Sequence, residues 1–149
     1  MMRSGFLLLA ALAVGASPAR AEIRISNDEG GSINRYFARY QGIRDSGDTV
    51  VIDGVCLSAC TLVLGILPRE RVCATDGAML GFHAAWRPNG SGGKTLAGDQ
   101  THRMMEAYPA SVRRWIARQG GLGSEMVFVH GKALNAMVRR CRPNETAGL

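Results

Sequence analysis

Lysine is almost missing from this sequence, because only two of its 18 basic residues are Lys and the other 16 are Arg. No run of five basic residues occurs, so the net charge of +6 forms no basic arm of the kind that binds nucleic acid. We therefore expect no nucleic-acid partner. At 46% hydrophobic residues the chain of 149 is too apolar to be disordered, and its length fits one domain.

Long apolar runs are also missing, which excludes an ordinary membrane span. The longest run, residues 6–14, has nine residues and is too short to cross a bilayer. It follows Arg3 and precedes a small-x-small sequence at residues 19–21, which predicts a secretory signal peptide over residues 1–21. An uncleaved membrane anchor is the alternative. We expect a periplasmic or secreted protein without membrane attachment, with one domain at residues 22–141 and a polar tail at residues 142–149.

The sequence has no C-x-x-C pair, which argues against a redox motif or a standard zinc site. Its four cysteines are Cys56, Cys60, Cys73 and Cys141. An even count in an exported chain predicts two disulfides, and three connectivities are open. A zinc site is the less favoured alternative, so we expect neither a metal nor another cofactor.

The hydrophobic pattern predicts alternating strands and helices. Short strands are expected at residues 23–26, 49–52, 71–74 and 78–82, with helices starting after Ser32 and at residue 59. This order predicts an α/β fold with a core of short parallel strands and flanking helices. Residues 88–98 are expected to form a Gly-rich loop. A helix over residues 97–118 should break at Pro109, and residues 125–140 should form a strand or turn and then a helix.

Three features could form a hydrolytic site. Ser58 follows a buried strand and a Gly turn at the start of an apolar helix, a position that suits a nucleophile. The pair Gly30 and Gly31 follows the first strand, where a free amide could bind an oxyanion. His83 ends the strand at residues 78–82, where a general base could lie. An N-cap serine and a structural histidine are the simpler interpretations.

The segment G-x-C-x-S at residues 54–58, with His83 twenty-five residues after Ser58, resembles the Clp protease proteolytic subunit and its crotonase-superfold relatives. Residues 23–31 look like the strand and turn that carry the oxyanion glycine of that family, and residues 99–121 are similar in place to its handle helix. The S-A-C segment at residues 58–60 and the G-F-H segment at residues 81–83 also resemble exported bacterial proteins of this superfamily. The resemblance implies a Clp/crotonase-like fold, truncated at both ends.

The resemblance implies an exported serine hydrolase, most simply a peptidase. Ser58 would attack, His83 would accept the proton, and the amides of Gly31 and Ala59 would hold the oxyanion. The catalytic Asp of the family has no counterpart, because no Asp follows Asp99, and Glu125 is the only acid near its place. The apolar run at residues 126–129 is expected to turn toward the core, which would leave Glu125 facing water. A catalytically degenerate domain that binds a protein partner is the alternative. Peptides or proteins are the expected partners in both cases, and assembly as a homo-oligomer is compatible with the resemblance.

Overall fold

A computed structural model describes residues 20–146 of the chain. The expected signal peptide therefore lies outside the described residues, apart from its last two. The strands are β1 (Glu22–Asp28), β2 (Thr49–Leu57), β3 (Val72–Ala74), β4 (Met79–Phe82), β5 (Trp86–Pro88), β6 (Lys94–Leu96), β7 (Val127–His130) and β8 (Arg139–Arg140). The α-helices are α1 (Ile33–Ser46), α2 (Val63–Ile66), α3 (Gly98–Ala107), α4 (Ala110–Arg118) and α5 (Gly131–Asn135). Short 3-10 turns cover Ser58–Leu62, Arg69–Arg71 and Pro143–Glu145.

The main sheet has the strand order β7-β4-β2-β3-β8, and β1 pairs with β2 beside this path. All pairs are parallel except β4 with β7, which is antiparallel. The predicted α/β core of parallel strands with flanking helices is thus confirmed, with one antiparallel edge that the sequence pattern did not predict. Because β1, β2 and β4 run in parallel, the segments that follow them meet at one edge of the sheet.

A close approach of two strands explains one glycine of the G-x-C-x-S segment. The register of β1 and β2 shifts between Ile25 and Asn27, which leaves Ser26 of β1 opposite two residues of β2, Asp53 and Gly54. A Cβ on Gly54 would lie 2.1 Å from the Ser26 carbonyl oxygen, so only glycine lets the strands come this close. With this irregularity in the pairing, β2 continues to Leu57, five residues beyond the predicted strand, which ended at residue 52.

The helices bury the apolar faces that their periodicity predicts. Tyr36 and Tyr40 of α1 are buried, as are Val112, Trp115 and Ile116 of α4. The predicted break at Pro109 is confirmed, because α3 ends at Ala107 and α4 begins at Ala110. No helix within residues 20–146 is long and apolar enough to cross a membrane.

Two local predictions were wrong. The segment predicted as a Gly-rich loop, residues 88–98, includes the turn and second strand of the antiparallel hairpin β5–β6, whose strands are exposed and carry no alternating pattern to reveal them. The apolar run at residues 126–129 was expected to turn toward the core, but only Val129 is buried and Phe128 is 51% exposed. The reason is that β7 pairs with β4 at the edge of the sheet, so its side chains alternate between core and solvent.

The four cysteines form two disulfides, as predicted. Cys56 pairs with Cys60, and Cys73 pairs with Cys141, which resolves the connectivity that the sequence left open. Glu145 lies close to the second pair. That group is not a metal site, because both sulfurs are bonded to each other and neither is a thiolate.

Candidate active site

Ser58 lies at a sharp turn between the end of β2 and the following 3-10 turn. Its φ is 55°, and it is the one non-glycine residue within 20–146 with a positive φ. The preceding Leu57 is still extended, with φ −112° and ψ 154°. The left-handed conformation costs an L-residue about 1–2 kcal/mol, so the neighbouring structure must hold Ser58 in place.

Hydrogen bonds fix the carbonyl groups of this turn. The Thr61 hydroxyl donates to the Ser58 carbonyl oxygen at 2.6 Å, and the Tyr40 hydroxyl donates to that of Cys60 at 2.9 Å. Thr61 also shares a 2.6 Å hydrogen bond with the hydroxyl of Tyr108, which links the turn to the break between α3 and α4. Burial raises the pKa of both Tyr40 and Tyr108, so both hydroxyls stay protonated and able to donate.

Gly30 packs directly against the Ser58 turn. A Cβ on Gly30 would lie 2.5 Å from the Leu57 carbonyl oxygen, 2.8 Å from the Ser58 Cβ and 3.0 Å from the Ala59 nitrogen. Its φ of 84° also favours glycine. The Gly-Gly segment therefore touches Ser58, as their shared place at one sheet edge predicts.

The Asp28 carboxylate holds the Gly-Gly segment in this position. It accepts the Gly30 amide at 2.9 Å and the Tyr36 hydroxyl, and it forms an ion pair with Arg39 at 3.1 Å. Burial, followed by the bond to Asp28, raises the pKa of Tyr36 to about 12, so this donor is neutral near pH 7. The Gly30 amide therefore already donates to Asp28, whereas the Gly31 amide has no acceptor within residues 20–146.

His83 follows β4 at the same edge of the sheet. The backbone after it is held by two hydrogen bonds, from the Ala84 amide to the Gly123 carbonyl at 2.7 Å and from the Ala85 amide to the Thr101 hydroxyl at 2.9 Å. Its Nδ1 lies 2.6 Å from the Ala84 carbonyl oxygen. This contact favours the tautomer with the proton on Nδ1, which leaves Nε2 as an acceptor.

Ser58 and His83 line one cleft of about 590 Å³, although no direct hydrogen bond joins them within the described chain. Gly31 lies on the wall of the same cleft, and Trp86 of the β5–β6 hairpin lies on its rim. A second groove of about 340 Å³ begins at His83 and Trp86 and runs between the hairpin and the segment before β7. His83 and Trp86 therefore line both cavities.

Glu125 does not join this cluster. It is exposed in the segment before β7, lines neither groove, and makes no hydrogen bond to another described residue. No carboxylate within residues 20–146 bonds to His83, whose ring contacts a backbone carbonyl instead. Of the other residues predicted for the site, Ala59 lies beside Ser58 as the second residue of the 3-10 turn, where the amides have no intrahelical acceptor.

Several residues that support the site were not predicted from the sequence. Asp28 could have been found, because an Asp two residues before a glycine commonly caps the turn with its carboxylate. Thr61 and Tyr108 are 47 residues apart, and no local signal links them. Trp86 is 44% exposed and lines the cleft, and no local sequence signal places it there.

Comparison with solved structures finds 71 matching chains. One is a ClpP1 mutant from Listeria monocytogenes, which aligns with 83% of this chain over 75% of its own, with a TM-score of 0.53 and 13% sequence identity. The chain has a ClpP-like fold. This confirms the predicted fold class, and at such low identity the likeness concerns the fold alone. No family model matches the sequence, and neither does any curated protein.

Proposed function

We propose that this chain is an exported serine hydrolase that acts on peptide or protein substrates through a Ser58–His83 pair. The observation that carries the proposal is the left-handed conformation of Ser58 at the mouth of a cleft that it shares with His83. A conformation that costs free energy persists where the surrounding structure enforces it, and such positions cluster at active sites.

In the proposed mechanism, Ser58 Oγ attacks the scissile carbonyl and His83 Nε2 takes its proton. The amides of Gly31 and Ala59 bind the negative charge that develops on the carbonyl oxygen. His83 then gives the proton to the leaving group, and the bond to that group breaks to leave an acyl-enzyme. Water, deprotonated by the same imidazole, hydrolyses the acyl-enzyme and restores Ser58.

Export and substrate class belong to the same proposal. Two disulfides are typical of proteins that fold in an oxidising compartment, which supports a periplasmic or secreted location. The ClpP-like fold and the two grooves that meet at His83 support an extended peptide as substrate. Assembly into a homo-oligomer is compatible with this fold.

One observation favours a second function, a catalytically degenerate domain that binds a protein partner in the same cleft. His83 lacks a carboxylate partner within residues 20–146, and Glu125 faces solvent. Without such a partner no carboxylate stabilises the imidazolium that catalysis requires, and a cleft that only binds needs no base.

Labelling with a fluorophosphonate probe separates the two functions. The hydrolase should be labelled at Ser58, labelling should vanish in Ser58→Ala, and it should fall strongly in His83→Ala. Ser91→Ala is the matched control, because Ser91 is an exposed loop serine bonded only to Asn89. A folded wild-type protein that takes up no probe would favour the binding module.

A further inference from the structure

We propose that the Cys56–Cys60 disulfide is a positioning group for Ser58, and that it contributes more to turnover than to global stability. The kinetic part rests on the proposed function, whereas the conformational part does not. The disulfide bridges the residues two before and two after Ser58, so Ser58 is the central residue of the loop that it closes.

Both ends of this crosslink are held by the surrounding structure. Cys56 lies in β2 between two parallel partners, opposite Asp28 of β1 and Leu80 of β4. Cys60 lies in the 3-10 turn, where the Tyr40 hydroxyl bonds to its carbonyl oxygen. The disulfide therefore ties the end of a central strand to the start of the following helical segment, directly across the candidate nucleophile.

The short bridge forces the chain to turn sharply. The Cα atoms of Cys56 and Cys60 are 5.4 Å apart, whereas four extended residues would span about 13 Å. Leu57 is extended, so the reversal occurs from Ser58 onward, where φ is 55°. Without the crosslink, only packing and hydrogen bonds would oppose relaxation of Ser58 to a negative φ.

The second disulfide provides an internal comparison. Cys73 and Cys141 are separated by 68 positions and join β3 to the segment after β8, and neither lines the cleft that contains Ser58. Crosslinks that close long loops restrict the unfolded chain most, whereas a crosslink between residues four apart restricts it little. The Cys73–Cys141 pair should therefore carry more of the global stability.

The Cys56–Cys60 disulfide is buried, so it is expected to hold Ser58 in place for as long as the chain is folded. Cys56 and Cys60 are both 0% exposed, so a reductant in solution cannot reach the bond while the chain is folded. The crosslink is thus a fixed part of the Ser58 turn, and a redox switch at this position is not expected.

The experiment compares Cys56→Ala/Cys60→Ala with Cys73→Ala/Cys141→Ala. Four quantities are measured: kcat and KM for an activated ester, the Tm, and the intraresidue HN–Hα distance of Ser58 by NMR, which is shorter at positive φ than at negative φ. Removing the first pair should lower kcat about a hundredfold at similar KM, as expected for a misplaced reacting group, and should lengthen this Ser58 distance. Removing the second pair should lower Tm more and leave the distance unchanged.

An unchanged HN–Hα distance of Ser58 in Cys56→Ala/Cys60→Ala would overturn the proposal, whatever the activity. If wild type shows neither turnover nor labelling, the proposed function fails, and this distance still decides the conformational part. A second variant, Cys56→Val/Cys60→Ala, refills part of the volume that the lost sulfur atoms leave. If neither Cys56→Ala/Cys60→Ala nor Cys56→Val/Cys60→Ala folds, the Cys56–Cys60 crosslink is required for global stability and the proposal is wrong.

Discussion

Replacing Gly30 by Ala tests whether contact with the Gly-Gly segment holds the Ser58 turn in place. The new Cβ would lie 2.5 Å from the Leu57 carbonyl oxygen and 3.0 Å from the Ala59 nitrogen, and both are backbone atoms that cannot rotate away. The φ of 84° at Gly30 adds a conformational cost. The substitution should therefore displace either the Gly-Gly segment or the Ser58 turn.

The expected magnitude has two parts. An alanine in the left-handed region costs about 1–2 kcal/mol, and overpacking against rigid neighbours adds about 1–3 kcal/mol. Gly92→Ala isolates the first part, because Gly92 has a φ of 80° and a Cβ at that position would meet no atom within 4 Å. The difference between the two variants in free energy of unfolding then measures the contact with the Ser58 turn.

Urea unfolding gives the two free energies, and the rate of fluorophosphonate labelling reports the geometry of Ser58. Gly30→Ala should lose more stability than Gly92→Ala and should label more slowly at a urea concentration where both are folded. Equal stability losses and equal labelling rates would refute the reasoning, because they would show that Gly30 does not support the Ser58 turn.

Three further predictions concern other parts of the chain. Glu125→Ala should change ester turnover little, and a loss above about a hundredfold would indicate a working triad, in which removal of the acid costs about 10⁴-fold. The bidentate bond from Arg139 lowers the pKa of Glu145 to about 2 from an ordinary 4.5. The resulting stability is present above pH 4.5 and lost as the pH falls toward 2. Since solvent screens this partly exposed pair, Glu145→Gln should flatten that part of an acid-unfolding curve by about 2 kcal/mol, less than the full pKa difference would give. The intact mass of the exported chain should lie about four hydrogens below that of the thiol form, and free thiols would contradict this.

Periodicity and turn residues were enough to predict most of the elements that build the site. The β-branched run at residues 49–52 belongs to β2, and the apolar face of α1 matches its predicted spacing. Gly30, Ser58 and His83 each follow a predicted strand, and because β1, β2 and β4 are parallel, these three positions lie at one edge of the sheet. Local signals predict well where function depends on the ends of strands.

The contacts that support the site could not be predicted in this way. The link between Thr61 and Tyr108 depends on how the Ser58 turn packs against the break between α3 and α4. The disulfide connectivity depends on which chain segments meet in space. The β5–β6 hairpin has exposed strands, so burial leaves no pattern in its sequence.

The proposed site would combine a strongly positioned nucleophile with a weakly supported base. Gly30, Thr61 and a disulfide all hold the Ser58 turn, whereas the His83 ring has one backbone carbonyl as its partner. A carbonyl can fix the tautomer as a carboxylate does, but it has no net charge to stabilise the imidazolium that forms during acylation. Catalysis would then rest mainly on positioning and on the oxyanion amides. Such a site favours substrates with good leaving groups, since these demand least of the imidazolium as an acid.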